Sequence, residues 1–123
     1  MRRILIVDDS RVMRLVMRRI VESLGFEVDE AEDGQQALER LRAAGPPDAV
    51  ILDIVMPVLD GLSCLRAMRQ DPLLSACPVI VCTTKAEPEE IEAAVAAGAN
   101  EYVMKPFTDE ILADKLRQVG LIE

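Results

Sequence analysis

Short runs of aliphatic residues alternate with amphipathic stretches along the whole chain. Most of these runs are continuous and rich in β-branched residues, which is typical of parallel strands buried on both faces of a sheet. We predict five strands, at positions 3–7, 26–30, 49–52, 78–81 and 101–104. Between them, apolar residues recur at helical spacing, first at Met13, Val16, Met17, Ile20 and Leu24. The pattern therefore predicts five strand–helix units.

Capping residues mark where several of the predicted helices begin and end. Asp33 is a candidate N-cap with Gln36 three residues further on, and Thr108 can cap the last helix. Pro88 opens the fourth helix, and Gly25 stands just past the end of the first. Strands that alternate with helices imply an α/β fold, a doubly wound five-stranded parallel sheet covered on both faces. An eight-stranded barrel of such units needs about twice this length.

Length and composition limit the classes of protein to which the chain can belong. The chain has 123 residues, which suits a single domain over 1–123 with no output domain, because domains typically hold about 100–200 residues. The net charge of −8 argues against a nucleic-acid-binding protein, which needs a basic surface. The apolar run that follows Arg2 and Arg3 is too short for a signal peptide or a membrane-spanning segment. We therefore expect no membrane insertion.

Two residue types restrict the chemistry. The chain has no histidine, which excludes a histidine-ligated metal site, a catalytic triad and a phosphohistidine of its own. Its three cysteines lack the C-x-x-C spacing of zinc and redox motifs. We interpret them as buried thiols in a reducing compartment, and we expect the protein to be cytoplasmic.

Polar residues follow four of the predicted strands, at the end where open α/β sheets bind ligands. They are Asp8 and Asp9, then Asp53, then Thr83 and Thr84, and finally Lys105, which Pro106 follows. If the first and third strands are neighbours, three carboxylates converge and repel one another, so the cluster needs a cation. Oxygen ligands without histidine or thiolate suit a hard ion such as Mg²⁺.

These residues together predict a site for phosphoryl chemistry. Carboxylates with a hard cation, the Lys105 ammonium and the Thr83 hydroxyl are suited to it. The glycine-rich motifs that cradle nucleotide phosphates, G-x-G-x-x-G and G-x-x-x-x-G-K-[ST], are missing from the sequence. We therefore expect a phosphoryl group to be transferred onto a carboxylate. The alternative is that each acidic residue is only a loop or cap residue.

Four segments resemble a known family: ILIVDDS at 4–10, VILDIVMPVLDG at 50–61, PVIVCTT at 78–84 and EYVMKPF at 101–107. In this order and spacing, the chain resembles the response-regulator receiver domain of two-component signalling, in its stand-alone, CheY-like form. The resemblance covers essentially the whole chain. It implies a flavodoxin-like (βα)5 fold with strand order 2-1-3-4-5, an order taken from the family and not from the residues.

The resemblance implies a phosphorylation site and a metal site. Asp53 is expected to be the nucleophile that becomes an aspartyl phosphate. Asp9 is expected to bind Mg²⁺ directly and Asp8 directly or through water, and the main-chain carbonyl of Val55 would complete the site with Asp53. Val55 and Lys85 also stand at the positions that are thought to set the lifetime of the phosphoryl group.

The resemblance also implies residues that sense the phosphoryl group. Thr83, Thr84 and Lys105 are expected to contact it or to respond to it, with Tyr102 as an aromatic switch. The Lys105–Pro106 bond matches a cis peptide of the family. A cis bond is feasible there because it costs only about 0.5–1 kcal/mol before proline.

The main hypothesis is a stand-alone response regulator of a phosphorelay, of the chemotaxis type that segment 10–14 resembles. A histidine kinase or phosphotransfer protein would donate the phosphoryl group, and a downstream protein would bind the face of the fourth helix, fifth strand and fifth helix. We expect no enzyme activity beyond self-phosphotransfer and autodephosphorylation at Asp53. The alternatives are a phosphatase-like enzyme that uses an aspartyl phosphate, which the missing D-x-D-x-[TV] pattern disfavours, and a receiver-like binding module that is never phosphorylated.

Two surface features have two interpretations each. Arg11, Arg14 and Arg18 share one side of the predicted first helix, which is either a solvated face or a docking surface for an acidic partner. Segment 93–97 is rich in alanine, which fits either plain helix packing or an interface.

Overall fold

A computed structural model of the chain describes residues 2–54, 58–84, 87–105 and 107–122. In these residues, five strands alternate with five helices. The strands are β1 (Arg3–Val7), β2 (Glu27–Ala31), β3 (Ala49–Asp53), β4 (Val79–Thr83) and β5 (Glu101–Met104). The helices are α1 (Arg11–Ser23), α2 (Gly34–Ala44), α3 (Gly61–Gln70), α4 (Pro88–Ala97) and α5 (Asp109–Gln118). The predicted strand–helix units are therefore confirmed.

The strands form one parallel sheet in the order β2-β1-β3-β4-β5. This confirms the doubly wound, flavodoxin-like fold. The chain first adds β2 on one side of β1 and then crosses to add β3 on the other side. Because the connections diverge at that point, a crevice opens at the carboxyl ends of β1 and β3, where open sheets bind ligands.

Alternate residues of the central strands face opposite sides of the sheet and build two apolar layers. The layer beneath α1 and α5 includes Ile4, Ile6, Met17, Val21, Ile51, Ile80, Leu112 and Leu116. The layer beneath α2, α3 and α4 includes Leu5, Val7, Leu38, Val50, Leu52, Leu65, Met68 and Ala94. Because both faces are covered, every residue of β3 and β4 is buried, which explains their unbroken apolar runs.

Side-chain caps determine where four of the helices begin. Ser10, Asp33, Asp60 and Thr108 each accept a hydrogen bond from the main-chain amide three residues further on, at 2.8–3.2 Å. The caps predicted at Asp33 and Thr108 are thus confirmed. Pro88 opens α4 as predicted, although the N-cap side chain of that helix makes no capping hydrogen bond.

The inner face of α1 differs from the one that its apolar pattern predicts. Val16, expected inside, is 43% exposed, whereas Arg14 is only 8% exposed. The Arg14 and Arg18 Nε atoms each donate to one carboxylate oxygen of Glu30, at 2.9 and 2.8 Å. These charge-assisted bonds hold both side chains against β2. Neither interpretation of the three arginines, a solvated face or a docking surface, therefore fits Arg14, and of the three only Arg11 is exposed.

The three cysteines are buried and free, as predicted. Burial raises the pKa of Cys64 and Cys82 to about 12 and that of Cys77 to about 11. Since the thiolate is the reactive form, these thiols are unreactive at neutral pH.

Two further expectations concern the helices: the role of the alanine-rich segment 93–97 and the absence of a membrane-spanning segment. In the alanine-rich segment of α4, Ala94 is buried in the core, whereas Val95 and Ala96 are exposed. Packing therefore accounts for Ala94, and the outer residues of the segment remain available to a partner.

Among the described residues, no helix combines the length and the apolar character needed to cross a membrane.

We expect the contacts of Glu30 to make stability depend on pH. Burial alone would raise the pKa of Glu30, but the hydrogen bonds from Arg18 and Arg14 outweigh burial and lower it. A lowered pKa stabilises the fold above the ordinary glutamate value of about 4.5, and this contribution is lost as the pH falls through the lowered value. Glu30→Gln should therefore reduce the free energy of unfolding by about 1 kcal/mol at pH 7. At acidic pH the variant and the wild type should be equally stable.

Urea unfolding at a series of pH values measures this difference. Glu27→Gln is the matched control, because Glu27 lies on the same strand with an exposed side chain. It should change the free energy of unfolding by less than about 0.5 kcal/mol. A loss for Glu30→Gln that is the same at every pH would contradict the electrostatic explanation.

Candidate functional site

Three carboxylates meet in the crevice between β1 and β3. One oxygen each of Asp8, Asp9 and Asp53 lies within 4.8 Å of the others. Asp8 and Asp53 are buried, at 1% and 7% exposure, and Asp9 is exposed. The sheet register aligns Val7 with Leu52, so the residues that follow these two reach the same edge of the sheet. The acids that the sequence places at two strand ends thus lie together.

Every polar atom of Asp8 has a hydrogen-bond partner. Its amide donates to the Ala31 carbonyl at 3.1 Å, and its own carbonyl accepts from Arg14 Nη1 at 2.8 Å. Its carboxylate accepts from the Ser10 amide at 2.9 Å through Oδ1 and from the Lys105 ammonium at 2.5 Å through Oδ2. These bonds fix the side chain and offset the cost of burying its charge.

Lys105 joins the end of β5 to the acids. Its Nζ also lies 3.3 Å from Asp53 Oδ2, and its amide donates to the Thr83 carbonyl at 2.7 Å. Burial alone would lower the pKa of Lys105, but the hydrogen bond to Asp8 and the charges of Asp53 and Asp8 outweigh burial and raise it. The ammonium is therefore a permanent positive charge between two carboxylates.

The other described candidates lie on β4, β5 and the segment after β4. Thr83 is buried at the end of β4, and Thr84 is exposed. Tyr102 is paired with Val81, two residues before Thr83. Its half-buried ring packs on the layer beneath α2, α3 and α4, with the Lys115 ammonium 5.6 Å from the ring centre. The structure thus places Thr83 at the edge with Lys105 and the Tyr102 ring on the α4 side of the sheet.

Three candidate positions lie outside the described residues: Val55, Lys85 and Pro106. The main-chain ligand predicted at Val55 and the lifetime role predicted for Val55 and Lys85 therefore stay predictions. The same holds for the cis bond between Lys105 and Pro106.

Comparison with known proteins identifies the family. The family model described as the response regulator receiver domain matches residues 4–117. The chain belongs to the response regulator receiver domain family. This receiver domain is 40% identical over 118 residues to the chemotaxis protein CheY of Pseudomonas aeruginosa, covering 95% of this chain and 94% of that protein. It is 38% identical over 118 residues to the chemotaxis protein CheY1 of Helicobacter pylori, covering 95% of each.

Solved structures agree with this receiver domain over nearly its whole length. The chemotaxis protein CheY4 of Vibrio cholerae superposes with a TM-score of 0.91 at 34% identity, covering 97% of this chain and 98% of that one. The receiver domain of a Pseudomonas aeruginosa sensor histidine kinase gives a TM-score of 0.88 at 33% identity, with 97% and 98% coverage. That structure has a magnesium ion coordinated in its active-site cleft. The CheY-like resemblance is confirmed.

The loop from β3 to α3 contains a requirement that the sequence analysis missed. The Gly61 amide of this receiver domain donates to the Ile54 carbonyl at 2.9 Å. A Cβ on residue 61 would overlap the carbonyl oxygen of Asp53 and lie 2.8 Å from the Cα of Ile54. Gly61 therefore lets α3 begin directly against the main chain of Asp53. The Asp60–Gly61 pair is a turn signal in the sequence, but a turn signal does not show what the glycine touches.

The contacts of Ser10 and Arg14 with Asp8 are likewise not predicted from the sequence. In the sequence, Ser10 belongs to a segment that only resembles the family, and the spacing of Arg14 with Arg11 and Arg18 favours an exposed side of α1. The signal available for Ser10 is its position two residues after Asp8, where a main-chain amide can reach back to an aspartate side chain. Arg14 is only six residues from Asp8, but the chain near it does not indicate that its side chain turns inward, because Glu30 on β2 holds it there.

Gly61→Ala should destabilise this receiver domain. The added methyl group meets main-chain atoms of Asp53 and Ile54, which no change of side-chain rotamer can move away. We expect the free energy of unfolding, measured by urea denaturation, to fall by about 2–3 kcal/mol.

Gly25→Ala is the comparison for this prediction. Gly25 has φ +95° but open space around its Cα, so the substitution brings only backbone strain, about 1–2 kcal/mol. A loss at position 61 that is no larger than the loss at position 25 would show that contact with Asp53 is unimportant.

Proposed function

We propose that residues 1–123 act as a stand-alone response regulator that accepts a phosphoryl group on Asp53, with Mg²⁺. Phosphorylation would then change its affinity for a protein partner. The main support is the Lys105 ammonium, which lies 2.5 Å from Asp8 and 3.3 Å from Asp53. A permanent cation at this edge can stabilise a phosphoryl group on a neighbouring carboxylate. The curated relatives, matched over 94–95% of their own length, are chemotaxis proteins, which supports a chemotaxis-type role.

Asp53 is the acid best placed to be the nucleophile. The Asp8 side chain is only 1% exposed, which leaves a donor little access to it. The Asp53 side chain keeps 10% exposure at the end of a central strand, with Lys105 beside it. Asp9 is exposed to solvent, so a phosphoryl group there would gain less from the charges of the site.

The transfer step follows from this assignment. A carboxylate oxygen of Asp53 attacks the phosphorus of a phosphohistidine on the donor. The new P–O bond forms as the P–N bond breaks, and the imidazole leaves with that electron pair and takes up a proton from water. Lys105 donates a hydrogen bond to the phosphoryl oxygens. Attack of water on phosphorus later restores the carboxylate and releases inorganic phosphate, so no other substrate is turned over.

The acid cluster has the chemistry of a magnesium site. Asp8, Asp9 and Asp53 offer one oxygen each within 4.8 Å, and oxygen ligands suit Mg²⁺. A divalent cation there would neutralise the charge that develops on the transferred phosphoryl group. The magnesium ion in the related Pseudomonas aeruginosa receiver domain supports this assignment. The carbonyl of Val55 remains our candidate for a further ligand.

We propose that Thr83 and Tyr102 link the site to a partner surface. Thr83 is buried at the site edge. We expect its hydroxyl to move toward the phosphoryl oxygens when a phosphoryl group is bound. The half-buried Tyr102 ring would then fill the space that the hydroxyl leaves and repack the α4 side of the sheet. The exposed apolar side chains of α4, β5 and α5 make this face the proposed target-binding surface; they are Val95, Met104 and Ile111.

Asp53→Asn should abolish phosphorylation, because the amide keeps the shape of the side chain but lacks a nucleophilic oxyanion. The protein is incubated with Mg²⁺ and radiolabelled acetyl phosphate, a small donor that needs no docking surface. Label on Asp53→Asn should fall to background. Asp60→Asn, which alters an exposed helix cap in the following loop, should label like the wild type.

Each other outcome points to a different function. Full labelling of Asp53→Asn would contradict the site assignment. An unlabelled wild type, with acetyl phosphate and with phosphorylated histidine kinases, would favour a binding module that is never phosphorylated. Repeated turnover of phosphate monoesters would favour a phosphatase-like enzyme.

We propose that the donor protein docks on the outer face of α1. This helix begins at Arg11, two residues after Asp9, so its first turns stand beside the acid cluster. Its outer face carries an apolar stripe of Val12, Leu15 and Val16, which are 70%, 49% and 43% exposed. Because the chain has no histidine, the phosphohistidine must come from a partner, and a surface beside the site can align that partner.

The double variant Val12→Ser with Leu15→Ser should separate docking from chemistry. Truncation of exposed anchors at an interface costs about 1–2 kcal/mol each, so kcat/KM for transfer from a protein donor should fall about tenfold or more. Labelling by acetyl phosphate should stay unchanged. Leu73→Ser, which alters an apolar residue that is 75% exposed before β4, is the control. An equal loss with both donors would contradict docking on α1.

A further inference from the structure

Arg14 holds the peptide unit that joins two of the acids. Its Nη1 donates to the carbonyl oxygen of Asp8 at 2.8 Å, and that carbonyl belongs to the peptide between Asp8 and Asp9. A peptide unit is planar, so fixing its oxygen fixes the directions in which both residues extend from it. Because Arg14 is only 8% exposed, the bond is largely shielded from water.

Arg14 is itself held in one orientation from β2. Its Nε donates to Glu30 Oε1 at 2.9 Å, while Arg18 Nε holds the other oxygen of that carboxylate at 2.8 Å. A guanidinium group is planar, so two bonds in different directions determine its position, which a lysine ammonium cannot reproduce. A series of bonds therefore runs from β2 through Arg14 to the acid cluster.

The bond from Arg14 to the Asp8 carbonyl acts through its geometry more than through the charge of the guanidinium group. Arg14 has carboxylates other than that of Asp8 beside it: Glu30, which it shares with Arg18, at 2.9 Å and Glu32 at 4.0 Å. The cation that faces the carboxylate of Asp8 is Lys105, at 2.5 Å. Arg14 instead touches the main chain of Asp8, so its effect is to orient the residue and not to neutralise the side chain.

We propose that Arg14 is a positioning residue for the magnesium ligands. It holds the Asp8–Asp9 peptide so that both carboxylates are arranged for the ion before the ion binds. This inference rests on the proposed function, because it takes Asp8 and Asp9 as ligands of Mg²⁺. Removing a group that orients metal ligands typically weakens metal affinity by about 10–100-fold.

Magnesium titration by isothermal calorimetry on the full chain tests the proposal. Arg14→Gln and Arg14→Lys should each weaken Mg²⁺ binding by about tenfold or more. Arg14→Lys keeps the charge, so a loss there reports geometry. Arg18→Gln is the matched control: it removes the same charge and a bond to the same Glu30 but does not touch Asp8, and it should stay within about twofold of the wild type.

The unfolding temperature without Mg²⁺ shows which variants are folded, and Arg14→Lys decides the question if Arg14→Gln does not fold. Wild-type affinity in both Arg14 variants would overturn the positioning role of Arg14 but not the proposed metal site. Wild-type affinity in Arg14→Lys with a loss in Arg14→Gln would show that charge matters and would also overturn it. A wild type that binds no Mg²⁺ would overturn the proposed metal site and this inference with it.

Discussion

The ammonium of Lys105 between the carboxylates of Asp8 and Asp53 is the interaction on which the rest of the site depends. Two buried carboxylates so close together lose hydration and repel each other, and the ammonium offsets both effects. It can do so because β5 ends at the same sheet edge, where the Lys105 amide pairs with the Thr83 carbonyl. Under the proposed function, this ammonium lies where a phosphoryl group on Asp53 would need a cation.

The position of this edge follows from the sheet topology. Since β1 lies between β2 and β3, the connections leave in opposite directions, and the crevice between them is lined by the residues that end each strand. The buried strands supply rigidity, and the segments after them supply the polar groups. Gly61 shows how closely the two are joined, because α3 starts in direct contact with the main chain of Asp53.

The two sides of helix α1 differ in their contacts. Arg14 and Arg18 on the inner side bind Glu30, and Arg14 also binds the main chain of Asp8. The outer side presents an apolar stripe to solvent. Hydrophobic periodicity misassigns such a helix, because it assumes that charged residues face water. Here Glu30 lies beside both guanidinium groups, with Glu32 near Arg14 and Glu22 near Arg18, so burying them is less costly than the pattern suggests.

Local features determined what the sequence predicted well: the five strand–helix units, the caps at Asp33 and Thr108, and the acidic residues at strand ends. Hydrophobic periodicity and capping act within a few residues, so they can be read from the chain directly. The strand order came from the family resemblance, since a strand–helix unit does not specify the side on which the next strand is added. Only the tertiary structure decided that Lys105 meets Asp8, 97 residues away, that Arg14 is buried, and that Gly61 touches Asp53. The contact of Lys105 with Asp8 joins segments distant in sequence, and all three features depend on how the strands are ordered and how the helices are placed against them.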